Sequence, residues 1–236
     1  MNPPARLPMR FLFLVNPLSG GQAGRVLIEK LKRICGLDCP GSLVRELDPG
    51  NIKAQLEEAL SFDCVVVAGG DGTVSNVIRN APAGLPKLAV FPLGTGDDLA
   101  RELGVYGPSR RLSLEGWLGW CEQAPVRKLD VWGISPASGS GREIRFCNYL
   151  SLGFDAAAVL QFHKWRYKVP SLFKLGGKWA NRAGYALAGL GCLARQAGTS
   201  IELSSDGRDS AGLKDLRTLL FANIRCCMGL GCSNMQ

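Results

Sequence analysis

One stretch constrains this chain more than any other: Cys64-Val65-Val66-Val67-Ala68-Gly69-Gly70-Asp71-Gly72-Thr73. An apolar run stops abruptly in three glycines that enclose one acid. The run Cys64–Ala68 reads as a strand buried on both faces. Residues 73–80 then read as a helix, with Thr73 as its N-cap. Gly69, Gly70 and Gly72 allow positive φ and close approach of an anion to the backbone. Peptide N–H groups at a helix start carry partial positive charge and bind phosphate. Asp71 sets a carboxylate beside that pocket, where it would hold Mg²⁺ or accept a hydroxyl proton. This chemistry suits phosphoryl transfer from a nucleotide. A tight strand-to-helix turn without a ligand would use the same residues.

The surrounding pattern narrows the choice. Phe11–Val15 reads as a strand and 22–35 as a helix with Leu27, Leu31 and Ile34 on one face. Leu43–Leu47 is a weaker strand. Residues 51–61 form a helix, Leu88–Phe91 a strand, and Asp97–Leu103 a further helix. Such alternation predicts a parallel sheet covered on both faces. Ligands of such sheets sit at the carboxyl ends of the strands. Three of the four strands end in glycine- or hydroxyl-rich loops: Asn16-Pro17-Leu18-Ser19-Gly20-Gly21, the Gly69 loop, and Pro92-Leu93-Gly94-Thr95-Gly96-Asp97-Asp98. All three are expected to open on one edge.

The pattern changes near Pro125. Strand-like runs follow at Leu129–Ile134, Ile144–Leu152, Ile201–Ser204 and Leu216–Ile224, separated by turns such as Ser135–Gly141 and Asp206-Gly207. The fold class is therefore α/β. Residues 1–125 form a parallel-sheet nucleotide-binding domain, and 126–236 a β-rich, sandwich-like domain. Residues 175–194 are too glycine-rich to assign as a helix.

Charge gives a second line of argument. The chain carries a formal net charge of +8, which suits an anionic partner: nucleotide, nucleic acid or acidic membrane. No acid lies between Asp155 and Glu202. That interval holds Lys164, Arg166, Lys168, Lys174, Lys178, Arg182 and Arg195, interleaved with Phe162, Trp165, Tyr167, Phe173, Trp179 and Tyr185. It reads as a surface that meets phosphate or an anionic bilayer, or as a solvated basic face over an aromatic core. No run is long and apolar enough to span a bilayer. Nine cysteines show no metal or disulfide spacing, and their odd number suits a reducing compartment. His163 is the single histidine, so zinc enzymes and Ser-His-Asp sets are disfavoured. Neither a P-loop nor a dinucleotide fingerprint is present. Arg110-Arg111-Leu112-Ser113 has the form of a phosphorylation site, a string common by chance.

Taken in order, three segments resemble the diacylglycerol kinase catalytic domain, within a wider group that includes sphingosine kinases, bacterial lipid kinases and NAD kinases. They are Val15–Gly21, Gly69–Val74 and Leu93–Arg101. Asn148–Ala156, with Phe162-His163 and the Arg166, Lys168, Pro170 triplet, is similar to the opening of the accessory domain of the eukaryotic-type enzymes. The resemblance runs from about residue 10 to the end. It implies Mg²⁺- and ATP-dependent phosphorylation of diacylglycerol to phosphatidic acid in lipid signalling, with a sphingoid base, ceramide or NAD as other acceptors. A catalytically inactive nucleotide- or membrane-binding fragment is the reading from another class.

By that resemblance Asn16, Ser19, Gly20, Gly70, Gly72, Thr73, Gly94 and Thr95 line the ATP phosphates. Asp71 is the catalytic and metal-linked acid. Asp130 sits where the family often has an acid near the interdomain cleft, with a buried structural acid as the competing role. Arg166 and Lys168 are set to meet phosphate or solvent. The resemblance implies a cytoplasmic protein, peripheral on an anionic membrane and without a transmembrane helix or a nucleic-acid partner; it says nothing of oligomeric state. Two departures stand out. Asp97 replaces the family's usual asparagine and adds a carboxylate beside a triphosphate. Relatives also continue past Gln236, so the second domain is expected to be incomplete here, either shortened or finished by another polypeptide.

Overall fold

Five successive apolar residues, Phe11–Val15, cannot alternate between core and solvent, so the strand they form must be covered on both sides. In the computed structural model this is β1 (Phe11–Val15), and all five residues are buried. The structure describes residues 9–37, 39–137, 141–169, 171, 177–193, 198–205 and 210–226. The centre of the Ser135–Gly141 turn, Asp206-Gly207 and the glycine-rich end from 227 onward lie outside the described residues. The chain divides into two compact units, one of Met1–Asn148 with Asn223–Gln236 and one of Tyr149–Ala222.

The first unit is built on a four-stranded parallel sheet in the order β2 (Leu43–Glu46), β1, β3 (Cys64–Gly69), β4 (Lys87–Pro92). Phe11 pairs with Cys64 and Cys64 with Lys87, so side chains of like parity share a face. Phe11, Phe13, Val15, Cys64, Val66 and Ala68 meet α1 (Ala23–Leu37) and α6 (Leu114–Gln123). Leu12, Leu14, Val65, Val67 and Val90 meet α2 (Ile52–Glu58), α3 (Asp71–Arg79) and α4 (Asp98–Glu102). In α1, Leu27, Ile28, Leu31 and Ile34 supply the buried stripe. Each such side chain contributes roughly 1.5–3 kcal/mol of burial.

A 3₁₀ turn (Ala59–Ser61) follows α2, and a short helix α5 (Tyr106–Arg111) leads into α6. Sequence reasoning assigned no element to 106–123. Ser113 caps α6 by accepting the Gly116 N–H at 3.1 Å, which gives the Arg110–Ser113 string a structural role. The cap holds Trp117 against the sheet, where its ring meets Phe91 edge-on at 4.9 Å. A two-stranded antiparallel ribbon, β5 (Trp132–Ile134) with β6 (Ile144–Phe146), completes the described secondary structure of this unit.

In the second unit, β7 (Tyr149–Gly153) pairs antiparallel with β10 (Thr218–Ala222), and β8 (Thr199–Leu203) with β9 (Ala211–Leu216). The later strands thus form small antiparallel sheets beside two helices. The Ile144–Leu152 run is interrupted at Cys147 and Asn148, where the chain passes between units. Residues 154–168, to which the sequence reading gave no element, fold as α7 (Phe154–Lys168), and the stretch too glycine-rich to assign as a helix folds as α8 (Gly177–Leu193). Glycines in α8 lower its helix propensity, but packing against α7 overrides that cost. Phe162 of α7 meets Tyr185 of α8 edge-on at 6.1 Å.

Cys35, Cys39, Cys64, Cys121, Cys147 and Cys192 are free thiols. Cys226 is disulfide-bonded, against the expectation of unpaired cysteines. Spacing alone does not reveal which sulfurs approach one another in space.

Candidate active site

The strand order reverses direction at β1. The chain steps from β1 to β2 on one side, then returns past β1 to β3 and β4. Because α1 leaves β1 toward one face and α3 leaves β3 toward the other, the carboxyl ends of β1 and β3 form the switch point at which sheets of this kind bind their ligands. The three glycine-rich loops follow β1, β3 and β4, which are adjacent and parallel. All three therefore emerge on the same edge, as the sequence implied.

Direct contacts tie them together. The Asn16 N–H donates to the Ala68 carbonyl at 2.9 Å, and its Oδ1 accepts the Leu18 N–H at 3.0 Å, closing the first loop as an Asx turn. Its Nδ2 donates to Thr73 Oγ1 at 2.9 Å, joining the first loop to the second. Gly20 and Gly21 both have φ +63°, a conformation that costs other residues more. A Cβ on Gly20 would also stand 2.8 Å from the Leu93 carbonyl oxygen of the third loop. Ser19 is half-buried in the same turn, its carbonyl accepting the Gly24 N–H at 3.2 Å.

The second loop corrects two details of the sequence reading. Its glycines do not carry positive φ: Gly70 is extended at φ −91°, ψ −179°, and positive φ falls on the first loop instead. Absence of a Cβ is what they provide. One on Gly69 would meet the Thr73 side chain at 2.5 Å, and one on Gly94 would stand 2.7 Å from Gly70 Cα. Thr73 is also not the helix cap. Helix α3 starts two residues earlier, at Asp71, with Gly70 as N-cap and no capping side chain. Thr73 lies in its first turn and spends its hydroxyl on Asn16. Gly72 is exposed, with no atom within 4 Å of a Cβ position.

Asp71 holds the third loop. Its Oδ2 accepts the N–H of Asp98 at 3.1 Å, and its Oδ1 that of Leu99 at 3.0 Å. These are the first two residues of α4, so a carboxylate sits on the positive end of that helix. Asn148 Nδ2 donates to the same Oδ1 at 3.3 Å. Asp97 adopts the left-handed conformation at φ 54°, which aspartate and asparagine tolerate better than most residues. Its Oδ1 accepts the Gly94 N–H at 2.7 Å, so the carboxylate at this unusual position staples its own loop. Thr95 is exposed at the tip of that loop.

Asp130 is exposed, and the described contacts reach it through its backbone: its carbonyl oxygen accepts from Asn223 Nδ2 at 2.6 Å. The Asn223 side chain also donates to the Cys147 carbonyl at 3.1 Å, and its N–H donates to the Asn148 carbonyl at 2.8 Å. Next along the chain, Arg225 donates its N–H and Nε to Glu102 at the end of α4. The returning segment thus supports Asn148 and α4, the two elements that engage Asp71. Sequence reasoning quoted Asn148 without giving it a role and missed Asn223 and Glu102. A polar residue breaking a strand-like run was the signal at Asn148; Asn223 and Glu102 offered none. Arg166 and Lys168 belong to α7 in the second unit.

Among the described residues, no group of three His, Cys, Asp or Glu side chains is arranged to hold a metal. Burial pushes the Cys147 thiol up to about 11, so it is a neutral packing group beside the site.

Comparison with known proteins places this geometry. A family profile described as the Diacylglycerol kinase catalytic domain matches residues 10–119, and one described as the Diacylglycerol kinase accessory domain matches 145–234. Diacylglycerol kinase 2 of Arabidopsis thaliana is 29% identical over 252 residues, covering 96% of this chain and 34% of that protein. Diacylglycerol kinase zeta of Homo sapiens is 32% identical over 205 residues, covering 78% of this chain and 21% of the relative. A crystal structure of a diacylglycerol kinase from Bacillus anthracis shares the fold, with a TM-score of 0.59 at 21% identity over 95% of this chain and 67% of that one. The chain belongs to the diacylglycerol kinase family. It spans about a third of the Arabidopsis relative and a fifth of the human one.

Proposed function

We propose that this chain transfers the terminal phosphoryl group of ATP to the free hydroxyl of diacylglycerol, giving phosphatidic acid. The observation that carries the reading is the convergence of three Cβ-poor loops on one sheet edge, with Asp71 pinning the third loop beside the second. Asn16, Ser19, Gly20, Gly70, Gly72, Thr73, Gly94 and Thr95 form the phosphate side. Without a capping side chain, the Asp71 and Gly72 amides at the start of α3 are left to an outside acceptor, the Thr73 N–H already donating to the Gly70 carbonyl at 2.9 Å, and a triphosphate oxygen fits that role. Positioning and charge neutralisation are the main protein contributions to such a transfer.

Mg²⁺ bound with ATP would neutralise charge on the terminal phosphates. Asp71 is the residue to hold it. Three N–H donors already occupy part of its lone-pair capacity, which suits an ion that takes one or two carboxylates and fills its remaining positions with phosphate and water. Asp130 is assigned as the second acid. Residues 1–125 act as the catalytic, ATP-binding domain and 126–236 as the accessory, lipid-side domain. No helix among the described residues is long and apolar enough to cross a membrane. The proposed setting is cytoplasmic, at the periphery of an anionic membrane that supplies the lipid.

Incubation with labelled ATP, Mg²⁺ and mixed micelles of diacylglycerol tests the proposal. Labelled phosphatidic acid is the expected product. Nucleotide binding without any lipid product would refute it for this chain, and a product only with sphingoid base, ceramide or NAD would move the acceptor.

A further inference from the structure

Arg101 closes the third glycine-rich segment, in the last turn of α4, and forms no ion pair among the described residues. Its Nε donates instead to the Gly96 carbonyl at 3.2 Å. Its guanidinium lies over the Tyr106 ring, with Cζ 3.8 Å from the ring centroid, well inside the range of a cation–π contact. A planar guanidinium that stacks on a ring while its edge donates is fixed in both position and direction, as a lysine ammonium would not be. Tyr106, the first residue of α5, is itself held: it packs against the core that contains Leu99 and Ala100, and its carbonyl accepts the Ser109 hydroxyl at 2.8 Å. Its own hydroxyl has no hydrogen-bond partner among the described residues. Arg110 is exposed, and its Cζ stands 5.2 Å from the same centroid, so it is the looser of the two cations.

The carbonyl that Arg101 grips belongs to a residue passing close to Asp71: a Cβ on Gly96 would stand 3.2 Å from Asp71 Oδ2. Because a peptide is planar, holding the Gly96 carbonyl also sets the direction of the Asp97 N–H. On the other side of the loop, Asp97 Oδ1 takes the Gly94 N–H at 2.7 Å. Between these two anchors, the Thr95 and Gly96 N–H groups have no protein partner among the described residues and are left to an anion.

We infer that Tyr106 is a positioning residue for the nucleotide: by holding Arg101 it fixes the Gly96–Asp97 peptide and so presets the neighbouring Thr95 and Gly96 amides for the phosphates of ATP. The inference rests on the proposed ATP site. A preset loop gives up less freedom when ligand binds, so loosening it weakens affinity rather than the chemical step.

Calorimetric titration of the full chain with ATP and Mg²⁺, beside phosphatidic acid formation at varied ATP, tests it. Tyr106→Phe keeps the ring and should stay within about twofold of wild type in both. Tyr106→Leu keeps apolar bulk but removes the ring face; it should raise the Kd and KM for ATP about fivefold and leave kcat within about twofold. Arg101→Met leaves Tyr106 in place and carries the same expectation, including where the ring variant does not fold. The double variant Arg101→Met/Tyr106→Leu should be no weaker than the weaker single one, because both break one contact. Additive losses, or wild-type ATP affinity in Tyr106→Leu or Arg101→Met, would overturn the inference. So would a lower kcat at unchanged KM, the mark of a merely structural role. Weakened ATP binding in the variants with no lipid product from any chain removes only the kinase reading. Turnover with an unmoved KM removes only this inference, and a wild type that binds no ATP removes both.

Discussion

Asp71 illustrates how one side chain constrains three segments. Replacing it by asparagine leaves a single acceptor oxygen for donors that now reach both carboxylate oxygens, so at least one N–H of α4 loses its partner. Asp71→Asn should cost about 1–3 kcal/mol of stability. It should also abolish phosphatidic acid formation; an ATP affinity that no longer depends on Mg²⁺ would assign the residue to the metal, and an unchanged affinity to chemistry. Asn148 is 3% exposed and donates to the same carboxylate. Asn148→Ala removes that donor without touching the loops and should lower kcat more than the KM for ATP; steady-state kinetics at varied ATP decides this. Gly94→Ala is a sharper test of loop contact. Its methyl would sit 2.7 Å from Gly70 Cα and 2.6 Å from Asp97 Oδ1. Two backbones must separate to admit it, so nucleotide affinity measured by titration should fall sharply while far-ultraviolet circular dichroism stays unchanged.

At the scale of elements, the sheet is specified by runs such as Cys64–Ala68, whose neighbours bury both faces, and α6 by a single cap. Ser113→Ala removes the acceptor for the Gly116 N–H and should cost about 1 kcal/mol. The effect would appear as a lower urea midpoint with an unchanged denaturant slope. Helices α7 and α8 show where local pattern gives out. Residues 177–193 carry several glycines, so neither propensity nor periodicity marked them as helical. The Phe162–Tyr185 contact brings together rings more than twenty positions apart, and no local window contains it.

Across the whole molecule, the free thiols link folding to pH. Burial pushes Cys64 and Cys121 up to about 12 and Cys147 up to about 11, from a usual value of 9.0. The folded thiols keep their protons where unfolded ones lose them. This contribution is therefore fully present below about pH 9 and lost as pH rises toward 12. Thermal unfolding followed against pH should show a decline beginning near pH 9 that Cys64→Ala partly flattens. A thiol reagent at pH 8 should label Cys64 only after addition of denaturant.

Much of the first unit follows from local chemistry. The apolar runs Phe11–Val15, Cys64–Ala68 and Leu88–Phe91, each followed by a glycine-containing loop and a helical stripe, leave few arrangements other than a doubly covered parallel sheet, and that sheet brings the Asn16, Gly70 and Gly94 loops to one edge. What each polar group in those loops does was not legible. Thr73 reads as a cap and is a partner for Asn16, and Asp71, which reads as a pocket acid, also anchors α4. Those choices depend on distances between residues 27 to 77 positions apart, which only closure of the sheet and the return of Asn223 to the first unit bring into hydrogen-bond range.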